Sequence, residues 1–466
     1  LHGQIEASSG RVENHFSIAA SDELSATEGL RNLQREALLK RLKRISHHGL
    51  LLCLGLLALT LPAAEPVDFQ GSAQMTPFDE EIIDYPHVRA TDPVAVLKRK
   101  LDYEEIKLKA DEKFGLLPSL LKELKIPQSS QMLVFSKTSL QRHLIGPKNP
   151  RALFFNDDVY VGYIPGSQII EIASSDSKLG AVFYTLDQTD PVNPRLRRDN
   201  QCLECHASTR NMGVPGHLAR SFIPDEEGKV DMFSGSMMVN HKTPFEKRWS
   251  GWYVTGESGK MVHNGNLMGE AAFKKQEAEP GYLSNQKELK HFFDTAKYPQ
   301  GGSDIVALMT FEHQAHLHNF ITRLNYETRI HLTMYQHTRH LHQIVDGFVR
   351  YLLFADEVPL PNPVKGTSSF AEEFQQLGPR DSKGRSLRDL DLQTRLLKYP
   401  CSYLIYSDPF TQMPPEAKEL VYRRLHEVLT GKETGEAYAR VTKESRQAIR
   451  EILLETKKDL PAYWRE

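Results

Sequence analysis

Apolar and polar positions follow three different textures along the 466-residue chain, and each texture predicts a different kind of element. From 68 to about 147 the spacing is helical. Asp92-Pro93 opens a helix, with Pro in its first turn, that runs through Val94, Val96, Leu97, Leu101, Ile106 and Leu108. Pro118 and Pro127 bracket a second short amphipathic piece carrying Leu120, Leu121 and Leu124. From 152 to about 266 short β-prone runs take over, at 152–155, 159–163, 169–173 and 181–185, with turn residues at 156–158, 165–166 and 174–180 between them. Residues 219–223 with 230–233, and 251–255 with 261–263, predict two more hairpins. Helical spacing returns from Ser303 through Ile305, Leu308, Met309, Phe320 and Leu324, with a break expected at 325–328 and a second helix over 330–353. A Gly/Pro/Arg-rich loop at 359–388 precedes helices at 415–430 and 435–458, the last charged and surface-facing. The expected fold is α+β: a small antiparallel sheet flanked by N- and C-terminal helices.

One apolar run fits none of these textures. Residues 49–62 (GLLLCLGLLALTLP) follow the basic stretch Lys40-Arg41-Leu42-Lys43-Arg44 and precede Ala63-Ala64, the layout of an export signal. The run is too short for a comfortable membrane span. Since the chain begins with Leu and its first 39 residues are polar, the expectation is an upstream stretch plus signal at 1–64, and a mature chain from about Glu65. The remaining segments are then an N-terminal helical one (65–150), a β-rich one (151–300) and a C-terminal helical one (301–466). No second long apolar run occurs, so no stable membrane span is expected in the mature protein. A formal net charge of −2 gives no reason to expect a nucleic-acid partner.

Cysteine usage changes the picture most. Cys202-Leu203-Glu204-Cys205-His206 is a C-x-x-C-H run, and shuffling 4 Cys and 19 His through the chain would produce one in roughly 0.1–0.2% of cases. Two thiols at this spacing can each add across a haem vinyl group, and the adjacent histidine can reach the iron. A redox dithiol should open a helix in a βαβ pattern, whereas the flanks here are polar loop; a zinc site needs a second ligand pair, and the chain has no second Cys pair. Beyond the signal only Cys401 is left over, single and among Tyr399, Tyr403, Leu404 and Ile405, so a buried thiol is expected there.

Over residues 202–206 the chain resembles c-type cytochromes. The resemblance implies one covalent haem c joined through Cys202 and Cys205, His206 as proximal iron ligand, and assembly outside the bacterial cytoplasm, in the periplasm or another exported location. Small electron-carrier cytochromes are about 100 residues, nearly all helical, with a distal Met downstream. This chain is larger and sets its motif in β texture, so that fold and that distal ligand do not carry over.

The sixth iron position is the open question. Downstream candidates are Met212, His217, Met232, Met237, Met238, His241, His263, Met268, His313, His316 and His318; His263, His313 and Met268 lead. Met212 and His217 lie close to the motif, and Met237 and Met238 are expected in the core. Each histidine taken singly is expected to be a hydrogen-bonded structural residue, but seven fall within 313–342. Arg220, Arg248, Trp249 and Trp252 suit a haem edge through propionate pairing and ring contact. Arg380, Asp381, Arg385, Arg388 and Asp389 are expected to tie down their loop as ion pairs.

Two functions follow. In the first, an electron-transfer protein, the iron is saturated and a redox partner protein docks at the haem edge. In the second, a haem-c oxidoreductase acting on peroxide, nitrogen oxides or sulfur compounds, or a gas sensor, the distal position is open and Glu312, His313 or Arg220 supplies protons and charge. A third reading puts a second metal at Glu312, His313, His316 and His318, Glu312 and His316 being one helical turn apart.

Overall fold

Short β-prone runs over 132–198 build a six-stranded antiparallel meander: β1 (Met132–Val134), β2 (Arg151–Phe155), β3 (Val159–Tyr163), β4 (Ile169–Asp176), β5 (Gly180–Asp187) and β6 (Arg195–Arg198). In this computed structural model, which describes residues 75–230 and 236–466, Asp68–Glu466 form one compact unit. The expected export segment and Met232 lie outside the described residues. Beyond β6 come two small hairpins, β7 (Ala207–Ser208) with β8 (Val214–Pro215) and β9 (Arg220–Phe222) with β10 (Ser236–Met238). Then β11 (Trp252–Tyr253) returns to pair with β1, giving the seven-stranded order β11-β1-β2-β3-β4-β5-β6. The sheet is therefore large rather than small. The short β1 and the charged edge strand β6 lack an alternation long enough to read from sequence.

Helices fill both ends of the chain: α1 (Pro93–Asp102), α2 (Leu117–Glu123), the single-turn α3 (Leu203–His206), α4 (Gly269–Ala278) and α5 (Ile305–Tyr335), followed by α6 (His342–Leu352), α7 (Phe370–Gln376), α8 (Asp408–Thr411), α9 (Pro415–Leu429) and α10 (Lys443–Thr456). The protein is thus mixed α+β. One sheet face, with Ala152, Phe154, Val161, Ile172 and Val182, packs on Ile83, Tyr85, Leu117 and Leu120 of the N-terminal segment. The opposite face divides in two. Met132, Val134, Phe155, Tyr160 and Trp252 share a core with α5 and the C-terminal helices. Arg151, Leu153, Glu171, Ala173 and Thr185 stay half-buried.

Other expectations change. Residues 251–263 form no hairpin: Thr255 bridges to Asp304 and Glu257 to Lys365, so the segment is held by α5's entry and the 365 loop. Helix α5 runs unbroken through 325–328 and stops only at Gln336, in the left-handed region at φ 56°. The polar run is tolerated because Asn325 donates to the Ser177 carbonyl, Tyr326 to that of Leu179 and Thr328 to that of Leu324. Cys401 is fully buried, and the 380–389 loop is tied down by Arg380–Asp389 and by Arg385 with Asp381 and Glu451. Helix α10 turns Ile449, Ile452 and Leu453 into the core. Among the described residues no helix is long and apolar enough to cross a membrane.

Candidate functional site

Edge strand β6 delivers the chain to the half-covered sheet face, where Asp199 accepts from the Gln201 N–H and fixes the turn leading into α3. Cys202, Cys205 and His206 sit on that turn and the one after it, Cys202 half-buried, Cys205 exposed, both unpaired thiols. The His206 ring lies 4.6 Å from that of Phe183, and Arg151, Glu171 and Arg220 act on it electrostatically. Glu171 and Asp199, with burial as the larger cause, push the Cys202 thiol up to about 12. Arg220 also lies within electrostatic reach of Cys205. In β3, Gly162 is buried where the Leu153, Arg151 and Glu171 side chains close over it.

The histidine is held by a clamp that sequence reasoning missed. His206 Nδ1–H donates to the Gly216 carbonyl at 3.0 Å, and the Gly216 N–H donates back to the His206 carbonyl at 2.9 Å. A carbonyl only accepts, so this bond fixes the proton on Nδ1 and leaves the Nε2 lone pair bare. Burial keeps the ring neutral, with its pKa pushed down to about 4. Nε2 has no hydrogen-bond partner among the described residues. Gly216 is itself gripped from both sides. Asn211 donates through Nδ2 to the His206 and Val214 carbonyls. Asn319 of α5 accepts from the His217 N–H and donates to the His217 carbonyl, both at 2.8 Å. A Cβ on residue 216 would collide with Asn319 and Asn211.

These residues fit a covalently attached haem. Two reduced cysteines and a neutral histidine with Nε2 free occupy adjacent turns, a half-buried strip of sheet lies beside them, and Arg220 stands near for an anionic group.

The expected distal ligands do not reach this place. His263 is 1% exposed, accepts from the Gly265 N–H on Nδ1 and donates from Nε2 to the Ser284 carbonyl, so both nitrogens are used. His313 is fully buried between His241 and Ser402, at 2.8 Å from each. Met268, half-buried, packs against the core on the other face of the sheet. Met212 is buried in the main core, His217 bonds Ser175, and His318 donates to the Asp157 carbonyl. His316 lies edge-on to Phe320 and against Tyr351. Met237 and Met238 are not core residues: Met237 is 39% exposed and Met238 half-buried. In the β9–β10 register Met238 stands opposite Arg220.

Nor do Glu312, His313, His316 and His318 form a metal centre. Their partners lie in different directions, and among the described residues no three His, Cys, Asp or Glu side chains converge as metal ligands. Glu312 instead accepts from Arg248 Nη1 and from Trp249 Nε1 (3.0 Å), so Arg248 and Trp249 serve that carboxylate. Trp252 donates to the Arg220 carbonyl at 2.8 Å. No protein family, curated protein or solved structure matches the chain.

Proposed function

We propose that this protein is an exported mono-haem c-type electron-transfer protein, its haem joined to Cys202 and Cys205 and its iron carried by His206. The reading rests on the His206–Gly216 bond, which fixes the tautomer and ring orientation that a proximal ligand needs, inside a C-x-x-C-H run. When bound, the haem supplies a one-electron iron couple. The chain's own residues then do three things. The Asn211–Gly216–Asn319 clamp holds the imidazole in place, Phe183 walls it, and Arg220 offers a cation for a propionate.

Met238 would hold the iron together with His206. It is the described candidate that combines partial exposure with a register position opposite Arg220, and its thioether needs no deprotonation. A saturated iron suits a carrier serving a redox partner protein and disfavours the gas-binding or oxidoreductase alternative.

The test is the exported, purified protein. Intact mass should exceed the polypeptide by one haem that survives denaturation, and the ferrous spectrum should be low-spin and unchanged by carbon monoxide. An unmodified Cys202/Cys205 pair would remove the whole reading; a high-spin, CO-reactive haem would remove the carrier and restore the enzyme or sensor.

A further inference from the structure

Glu312 and Arg248 are each 2% exposed, and Trp249 is equally buried, yet no solvent-facing salt bridge explains them. Burying such a pair is costly, and a buried ion pair seldom repays its desolvation in stability. Beside it lies a small cavity of about 10 Å³, roughly the size of one water, whose lining includes Trp249, Leu308, Phe311 and Glu312 together with Arg220 and Trp252. The buried carboxylate and the arginine within electrostatic reach of Cys205 therefore share one cavity.

We propose that Glu312 takes up a proton when the haem is reduced and releases it on oxidation, so that this protein couples electron transfer to proton transfer. The inference rests on the haem reading above. One electron adds to the iron and one proton from bulk water adds to a Glu312 carboxylate oxygen, so the buried site gains no net charge; oxidation reverses both. Coupling of the two binding events is reciprocal, so reduction must strengthen proton binding as much as protonation favours reduction.

Two buried carboxyls act on Arg248, Glu312 and Glu357, both raised to about 7 by burial, and of the two the one that borders the cavity is Glu312. Arg248 and Trp249 bond it from the 240–250 loop. His313 and His316 flank it on α5, Tyr351 reaches it from α6, Arg220 lines the same cavity, and His241, Lys242 and Glu357 act on its partner Arg248 or lie beyond it. Burial holds His241 and His313 neutral and drives the Tyr351 hydroxyl upward, so none of these three changes charge near neutrality. Burial outweighs the pull of Arg248 on Glu312 and raises its carboxyl to about 7.

The experiment is a spectroelectrochemical titration of the holoprotein from pH 5.5 to 8.5. The potential should fall as pH rises, most steeply near pH 7 and by no more than about 59 mV per pH unit, the tenfold limit for one electron. Glu312→Gln should flatten the curve. Asp158→Asn removes another buried carboxyl raised to about 7, on the β2–β3 turn away from the cavity, and should leave the slope as it was. A pH-independent wild type, or a slope that survives in Glu312→Gln, overturns the proposal. If that variant does not fold, redox-difference infrared spectra of the wild type decide: a protonated-carboxyl band must grow on reduction, and its absence is fatal. A chain without covalent haem would instead overturn the parent reading, and this one with it.

Discussion

Replacing Asn319 by Ala isolates the clamp behind His206. The substitution deletes two 2.8 Å hydrogen bonds and strips the partners from the His217 N–H and carbonyl, in a residue only 4% exposed. A buried backbone group left unpaired costs about 1–3 kcal/mol. With partial refilling by water, the loss should be roughly 2–4 kcal/mol. Gly216→Ala attacks the same point from the other side, driving a methyl group into Asn319 and to 2.9 Å from Asn211 Nδ2, with an overpacking cost of about 1–3 kcal/mol. Because the first substitution clears the space the second needs, the double variant should be less damaged than the sum, by roughly 1–2 kcal/mol. Urea unfolding of all four proteins, followed by tryptophan fluorescence, measures the cycle. The haem spectrum and potential of Asn319→Ala should shift too, since the Gly216 carbonyl that orients His206 is released. Strict additivity, or a cost for Asn319→Ala below about 0.5 kcal/mol, would refute the clamp, because neighbours sharing one contact must couple.

Met238→Ala should turn the ferrous haem high-spin and CO-reactive, whereas Met237→Ala, on the opposite face of β10, should leave the visible spectrum unchanged; the reverse pattern would move the ligand one residue. Cys401 is fully buried and burial drives its thiol strongly upward, so it should resist alkylation until the protein is unfolded. Cys401→Ser should cost about 1–3 kcal/mol by burying a hydroxyl without a partner, read as a lower urea midpoint. Burial lowers His263 from 6.5 to about 4, so between those pH values the unfolded chain holds a proton that the folded chain refuses. Stability from this residue is complete above pH 6.5 and is lost as pH falls through about 4, by on the order of 3 kcal/mol. A urea midpoint that drops equally with acid in wild type and His263→Gln would show that this histidine is not the cause.

The meander was legible because β2 to β5 carry four or more alternating residues bounded by turn chemistry, and the register of β4 on β5 follows from one tight connection. There Asp176 accepts from the Lys178 and Leu179 N–H groups, and Gly180 takes φ 71° where a Cβ would press on the Pro215 carbonyl at 2.8 Å. The C-x-x-C-H run was legible because five consecutive residues carry it. Its support was not: His206, Gly216 and Asn319 are joined across more than a hundred residues, and neither a lone glycine nor a helical asparagine marks itself. His263 misled for a local reason. The turn that was expected to aim it into a pocket instead uses its Nδ1 to hold the Gly265 N–H.

The same physics explains why α5 is polar on every side and still buried. An amphipathic helix normally turns its polar face to water, but 22 of the 31 residues of α5 are buried, among them Glu312, His313, Gln314, His318, Asn319, Arg323 and Asn325. Irregular chain packs around it, and buried backbone carbonyls in irregular chain need donors that no neighbouring strand supplies. Helix α5 supplies them turn by turn. Gln314 donates to the Asn156 carbonyl, His318 to Asp157, Asn319 to His217, Arg323 to Met212 and Asn325 to Ser177. The upstream histidines that suggested ligands in the sequence, His313 and His318, are thus spent on the scaffold, as neutral hydrogen-bonding side chains. Glu312 is the exception. It bonds side chains rather than loop backbone and borders a small cavity that Arg220 also lines. Both its oxygens accept, one from Arg248 and one from Trp249, so Gln would keep the shape but set an amide N–H against one of these donors, and only a carboxylate both satisfies the pair and can take up a proton.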